Sequence, residues 1–77
     1  MPTLLIQGYK FRFYAQDGDE PPHMHILHGE ADAKVWLRPV ELEYAYNYNP
    51  RQINRILELT RDYQAELLEI WYEYFGR

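Results

Sequence analysis

The sequence predicts an α+β domain: an antiparallel meander of three or four strands with a C-terminal helix, bent or in two pieces, packed on one face. Three observations carry that reading. Apolar and polar residues alternate with period two in successive segments of the first half. Short runs rich in Gly, Pro, Asp and Asn separate those segments. After Asn49-Pro50, apolar residues return at helical spacing.

The first strand is expected from Tyr9 to Tyr14, with Tyr9, Phe11 and Phe13 on one side and Lys10, Arg12 and Tyr14 on the other. Residues 15–22 form a polar connection with an Asp17-Gly18 turn signal and the pair Pro21-Pro22, which cannot donate to a sheet ladder. The chain then re-enters the sheet at His23. Because side chains alternate, His23, His25 and Leu27 share one face and Met24, Ile26 and His28 the other. Gly29-Glu30 offers a hairpin turn into a third strand, where Ala31, Ala33, Val35 and Leu37 alternate with Asp32, Lys34, Trp36 and Arg38. Pro39 ends it. A fourth strand follows, with Val40, Leu42, Tyr44 and Tyr46 set against Glu41, Glu43 and Ala45.

Asn49 as N-cap, Pro50 at the first helical position and Gln52 three residues after the cap make a strong helix start. Ile53, Ile56, Leu57, Thr60, Leu67, Leu68, Trp71, Tyr74 and Phe75 continue the stripe, and Gly76 supplies a stop. An unbroken helix over this span would run to ~39 Å, against a radius of gyration of ~11 to 12 Å for a compact domain of this length. The helix therefore breaks near Asp62 to Ala65, or its Trp71-Tyr74-Phe75 end packs on a second copy of the chain.

A chain of 77 residues is sized for one domain, residues 1–77. Its 47% hydrophobic and 17% aromatic content is too rich for a disordered segment. Without cysteine it has neither disulfides nor thiolate metal sites, and the start Met1-Pro2-Thr3-Leu4-Leu5-Ile6 lacks the basic region and long apolar core of a leader. A cytoplasmic protein with no membrane span is expected. The formal charge of −4 argues against a sequence-blind electrostatic grip on nucleic acid, although Lys10, Arg12, Lys34, Arg38, Arg51 and Arg55 precede an acidic last helix.

Candidate chemistry concentrates at Pro21-Pro22-His23-Met24-His25. A His-x-His pair on a strand separates its alpha carbons by ~6.5 to 7 Å, close enough to share a metal, with Asp17, Asp19, Glu20, Glu30 and Asp32 as the nearby acids. Alternatively, an imidazole moves a proton on a phosphodiester held by Lys10, Arg12, Tyr14 and Lys34, a chemistry that needs neither metal nor cofactor. The plainer alternative has the histidines bond the preceding loop and fix the strand's entry, and His28, on the opposite face, suits that role best. With no serine and no cysteine, the chain cannot be a serine or cysteine hydrolase. Trp36 and Trp71 read as core or interface residues before base-stacking ones, and the run Tyr44 to Tyr48 suits a protein interface. Arg51 and Arg55 read either as an anion site at the helix start or as part of a solvated face with Glu58, Arg61 and Asp62.

These segments resemble a bacterial family of small proteins, domain of unknown function 4160. The resemblance rests on Met1-Pro2-Thr3, Gly8 to Tyr14, the Pro-Pro-His-x-His motif at 21–25, Ala33 to Leu37 and Leu67 to Gly76. It implies a gene beside that of a second small protein, as in a toxin and antitoxin pair, and it carries the motif histidines onto His23 and His25 and a charged sheet position onto Lys34. The resulting expectation is a toxin-like protein acting on RNA or translation through His23, His25, Lys34 and Arg12, neutralised by a small antitoxin-like partner. The competing expectations are a non-catalytic interaction module and a small metal-binding protein.

Overall fold

The computed structural model describes residues 3–76; Met1 and Pro2, where the reading of the N-terminus and the resemblance begin, lie outside them. Five strands, β1 (Thr3–Ile6), β2 (Tyr9–Arg12), β3 (His23–His28), β4 (Ala31–Leu37) and β5 (Val40–Tyr46), precede two helices, α1 (Pro50–Asp62) and α2 (Gln64–Phe75). The sheet is wholly antiparallel and its strand order follows chain order. The α+β meander is as expected, but with five strands in place of three or four.

The additional strand is β1. Leu4-Leu5-Ile6 is a continuous apolar run with no alternation to mark it. It is paired through a two-residue turn, Gln7-Gly8, whose members both have positive φ (50° and 88°), as a type I′ hairpin requires. Gln at such a position is a weaker signal than Asn or Asp. Strand β2 stops at Arg12, two residues before the expected end. There the Phe13 side chain enters the core and Tyr14 leads into a short 3-10 helix, Ala15–Asp19, within the polar connection.

A register shift opposite Lys34 and Val35 alters β5. Leu42 pairs with Val35 on the core side, yet Tyr44 pairs with Lys34 and Ala45 with Ala33. The residue left over, Glu43, forms a bulge, and an extra residue in a period-two element reverses the sides of everything after it. Tyr44 and Tyr46 therefore face away from Val40 and Leu42, contrary to the simple alternation expected of this strand.

Helices and core behave as the pattern requires. Asn49 Oδ1 accepts from the Gln52 amide at 2.8 Å while Gln52 Oε1 accepts from the Asn49 amide at 2.9 Å. The helical run breaks at Tyr63, within the expected region. The molecule's longest extent is 34 Å and its radius of gyration 11.5 Å, so the unbroken ~39 Å rod would have overhung it. Gln64 Nε2 donates to the Leu37 carbonyl at 2.7 Å, tying α2 to the end of β4. Phe11, Phe13, Met24, Ile26, Val35 and Leu37 from one side of the sheet meet Ile56, Leu59, Leu67 and Trp71 from the helices. Among the described residues no helix is long and apolar enough to cross a membrane.

Candidate functional site

Strand register places Arg12, His25, Lys34 and Tyr44 opposite one another across β2, β3, β4 and β5. Cross-strand partners share a face, and this one is the face turned away from the core. His23 stands two residues before His25, opposite Trp36. The 3-10 segment then folds over the start of β3. It carries Asp17, whose Oδ2 accepts from the Tyr14 amide at 2.8 Å and is thereby aimed at the histidines.

Both imidazoles converge on that one carboxylate oxygen. His25 Nε2 lies 3.3 Å and His23 Nε2 3.4 Å from Asp17 Oδ2, with the two rings 5.3 Å apart and nearly perpendicular. They differ in access. His23 is 0% exposed, walled by Trp36 and Trp71 at ring distances of 5.3 and 5.1 Å. Its Nδ1 is 2.9 Å from the Pro21 carbonyl; a carbonyl only accepts, so Nδ1 carries the proton and donates. The opposite nitrogen, Nε2, is buried and makes no hydrogen bond. His25 keeps 14% of its side chain exposed. Burial lowers its pKa, the Asp17 carboxylate opposes that shift, and the neighbouring His23 adds to it.

The cations flank this centre. Lys34 Nζ donates to Glu20 Oε1 at 2.7 Å and sits 4.7 Å above the Trp36 ring. That ammonium holds the Glu20 carboxyl below its ordinary range. Arg12 lies 5.0 Å over the Tyr14 ring, its Nε buried without a hydrogen bond, and Tyr14 packs against His25 at 5.1 Å. Trp36 donates to Glu43 at 3.0 Å on the same face.

The four residues singled out in the sequence, His23, His25, Lys34 and Arg12, are thus neighbours, but His23 is enclosed where it was expected to project beside His25. Burial of one face of the pair comes from the overlying loop, which period-two reasoning does not include. Of the five acids considered, Asp17 is brought to both histidines and Glu20 to His23 Nδ1 at 3.7 Å. The sequence signal of Asp17 is slight: an Asp three residues after Tyr14 with Gly behind it, able to cap a tight turn. Asp17, His23 and His25 each offer one ligand atom, all within 4.8 Å of one another, and so could hold a metal ion. His28 takes the plain role, with Nδ1 3.0 Å from the Gly8 carbonyl and its ring against Tyr9. Trp71 is core, and Arg55 is engaged by Glu58 and Gln7, as a solvated face would have it.

A family model described as Domain of unknown function (DUF4160) matches residues 8–72. The chain belongs to that family. No curated protein and no solved structure matches it. The match to this DUF4160 domain takes in Asp17, both motif histidines, Arg12 and Lys34, so the whole centre lies inside the family's extent.

Proposed function

We propose that this chain is the toxin-like member of a two-protein pair and acts on RNA at the Asp17–His25 centre. One observation carries the reading: Arg12, His25 and Lys34 stand side by side across three adjacent strands on the sheet face that the helices leave uncovered. A proton acceptor between two cations is what in-line cleavage of a phosphodiester needs. His25, oriented by the contact of its Nε2 with Asp17, takes the proton of a ribose 2′-hydroxyl on its other nitrogen, Nδ1. The 2′-oxygen forms its bond to phosphorus as the bond to the 5′-oxygen breaks, and the leaving oxygen takes a proton from water. Arg12 and Lys34 offset the charge that grows on the phosphoryl oxygens, with Glu20 released from Lys34 as the phosphate arrives. Tyr14 and Trp36 beside the row supply ring faces for unpaired bases. Local charge at this row, and not the net charge of −4, is what an RNA strand meets. The small antitoxin-like partner would neutralise the protein by covering the same face.

Expressing the chain alone and with the neighbouring gene tests this. Wild type alone should arrest growth with loss of intact RNA, the neighbour should relieve it, and His25→Ala or the pair Arg12→Ala with Lys34→Ala should abolish it. Arrest that persists undiminished in His25→Ala, or no arrest from wild type, removes the reading. A second reading, an interaction module without catalysis, is favoured by Tyr46, 63% exposed on an edge strand beside Tyr44. It requires that Tyr46→Ala lose the partner while His25→Ala keeps it.

A further inference from the structure

We infer that Asp17, His23 and His25 form a binding site for one divalent transition-metal ion of zinc type. The decisive feature is an electrostatic conflict. His23 Nδ1 donates to the Pro21 carbonyl, so in the neutral ring Nε2 presents a lone pair. That lone pair is fully buried, makes no hydrogen bond, and lies 3.4 Å from a carboxylate oxygen. Two acceptors facing each other out of water are costly unless a cation lies between them. The second histidine brings its Nε2 to 3.3 Å from the same oxygen.

The spacing fits a metal better than a proton. For ligand bonds of about 2.0 to 2.1 Å, the ligand-to-ligand edges of a tetrahedral ion are ~3.3 to 3.4 Å, whereas adjacent ligands of an octahedral ion are ~2.8 to 3.0 Å apart. The two edges through Asp17 are 3.3 and 3.4 Å. The third separation, between the two ring nitrogens, is within 4.8 Å, and binding an ion requires it to shorten to a tetrahedral edge. A proton on His25 Nε2 relieves only the edge to His25 and leaves the buried His23 nitrogen facing the carboxylate; an ion at the centre relieves both.

The surroundings also match a ligand set. A metal-binding imidazole characteristically donates its remaining N–H to a carbonyl or carboxylate, and the ligating carboxylate is itself hydrogen-bonded. His23 does the first through Pro21 and Asp17 the second through the Tyr14 amide. Among the described residues the cluster offers three protein ligands, so the fourth position falls to solvent. That is the open arrangement of a catalytic ion and not the closed one of a structural ion. This inference stands on ligand geometry alone and goes beyond the RNA reading; with the ion bound, His25 would be a ligand, and the ion would supply Lewis-acid activation of water in place of its basicity.

Tag-free full-length protein, stripped by a chelator and titrated with Zn(II) or Co(II) alone, tests it. One equivalent should be retained after dialysis, and Co(II) should show the intense visible bands of a four-coordinate ion. Asp17→Asn and His25→Ala, each checked for an unchanged circular dichroism spectrum, should weaken binding by at least about tenfold, as loss of a ligand does. His28→Ala, outside the cluster, should bind as wild type does. No retained equivalent in wild type, or equal affinity in Asp17→Asn and His25→Ala, overturns the site. The two readings fail separately. Metal retention with no effect on RNA counts against the RNA reading alone, and RNA cleavage by protein that takes up no metal counts against the metal alone.

Discussion

At the scale of single residues, Tyr48 shows how one polar atom can matter as much as a core side chain. Its hydroxyl donates to the Ile26 carbonyl at 2.8 Å beneath the sheet. Burial, with Tyr9 and Asp32 nearby, pushes its pKa up from 10.0 to about 12. A phenol whose folded pKa is raised favours folding while neutral, so its contribution is intact below pH 10.0 and is lost as the pH climbs toward about 12. Tyr48→Phe should remove this bond to Ile26, costing ~0.5 to 1.5 kcal/mol in urea unfolding, and should flatten the alkaline limb of the stability profile. Side-chain alternation alone put His23 and His25 on one face of a strand, and that much was legible. The enclosure of His23 was not, because it depends on a loop whose fold is set by the bond from the Tyr14 amide to Asp17. Trp36 and Trp71 divide in the same way: both were read as core or interface residues, and only Trp71 is buried.

Among the elements, those with chemical punctuation could be read and those without it could not. The helix start was legible because Asn49, Pro50 and Gln52 each satisfy or avoid an orphan amide. Asn49→Ala should lower stability by ~0.5 to 2 kcal/mol, measured by chemical denaturation, while Asn49→Ser should restore most of it. The break at Tyr63 followed from length against compactness, with no Pro or Gly to mark it. By contrast β1 hides in a continuous apolar run, and its partner turn uses Gln where Asn would have declared it. The bulge at Glu43 is likewise invisible to an alternation count, since Val40 through Tyr46 alternates well in the sequence and it is the pairing with β4 that slips.

The whole molecule is two layers, one sheet face sealed by helices and one left to water. Leu67, 0% exposed at the middle of the seal, should cost ~2 to 5 kcal/mol as Leu67→Ala, read as a lowered Tm with the metal affinity of any folded fraction unchanged. The sealed face uses Trp71 and Phe75 on Phe13 of the same chain, at ring distances of 5.2 Å each, so the end of α2 is occupied internally. Trp71 and Phe75 close the far corner of the core, with Trp71 directly behind His23, while Tyr74 is 46% exposed.

Asp17 reaches the histidines from a turn and not from a strand. Lifting residues 15–20 breaks no rung of the five-stranded ladder, so His23 can meet water without the domain coming apart. The cover over the enclosed imidazole is therefore made of one tight turn and the Lys34–Glu20 pair, separate from the bonds that hold the sheet together.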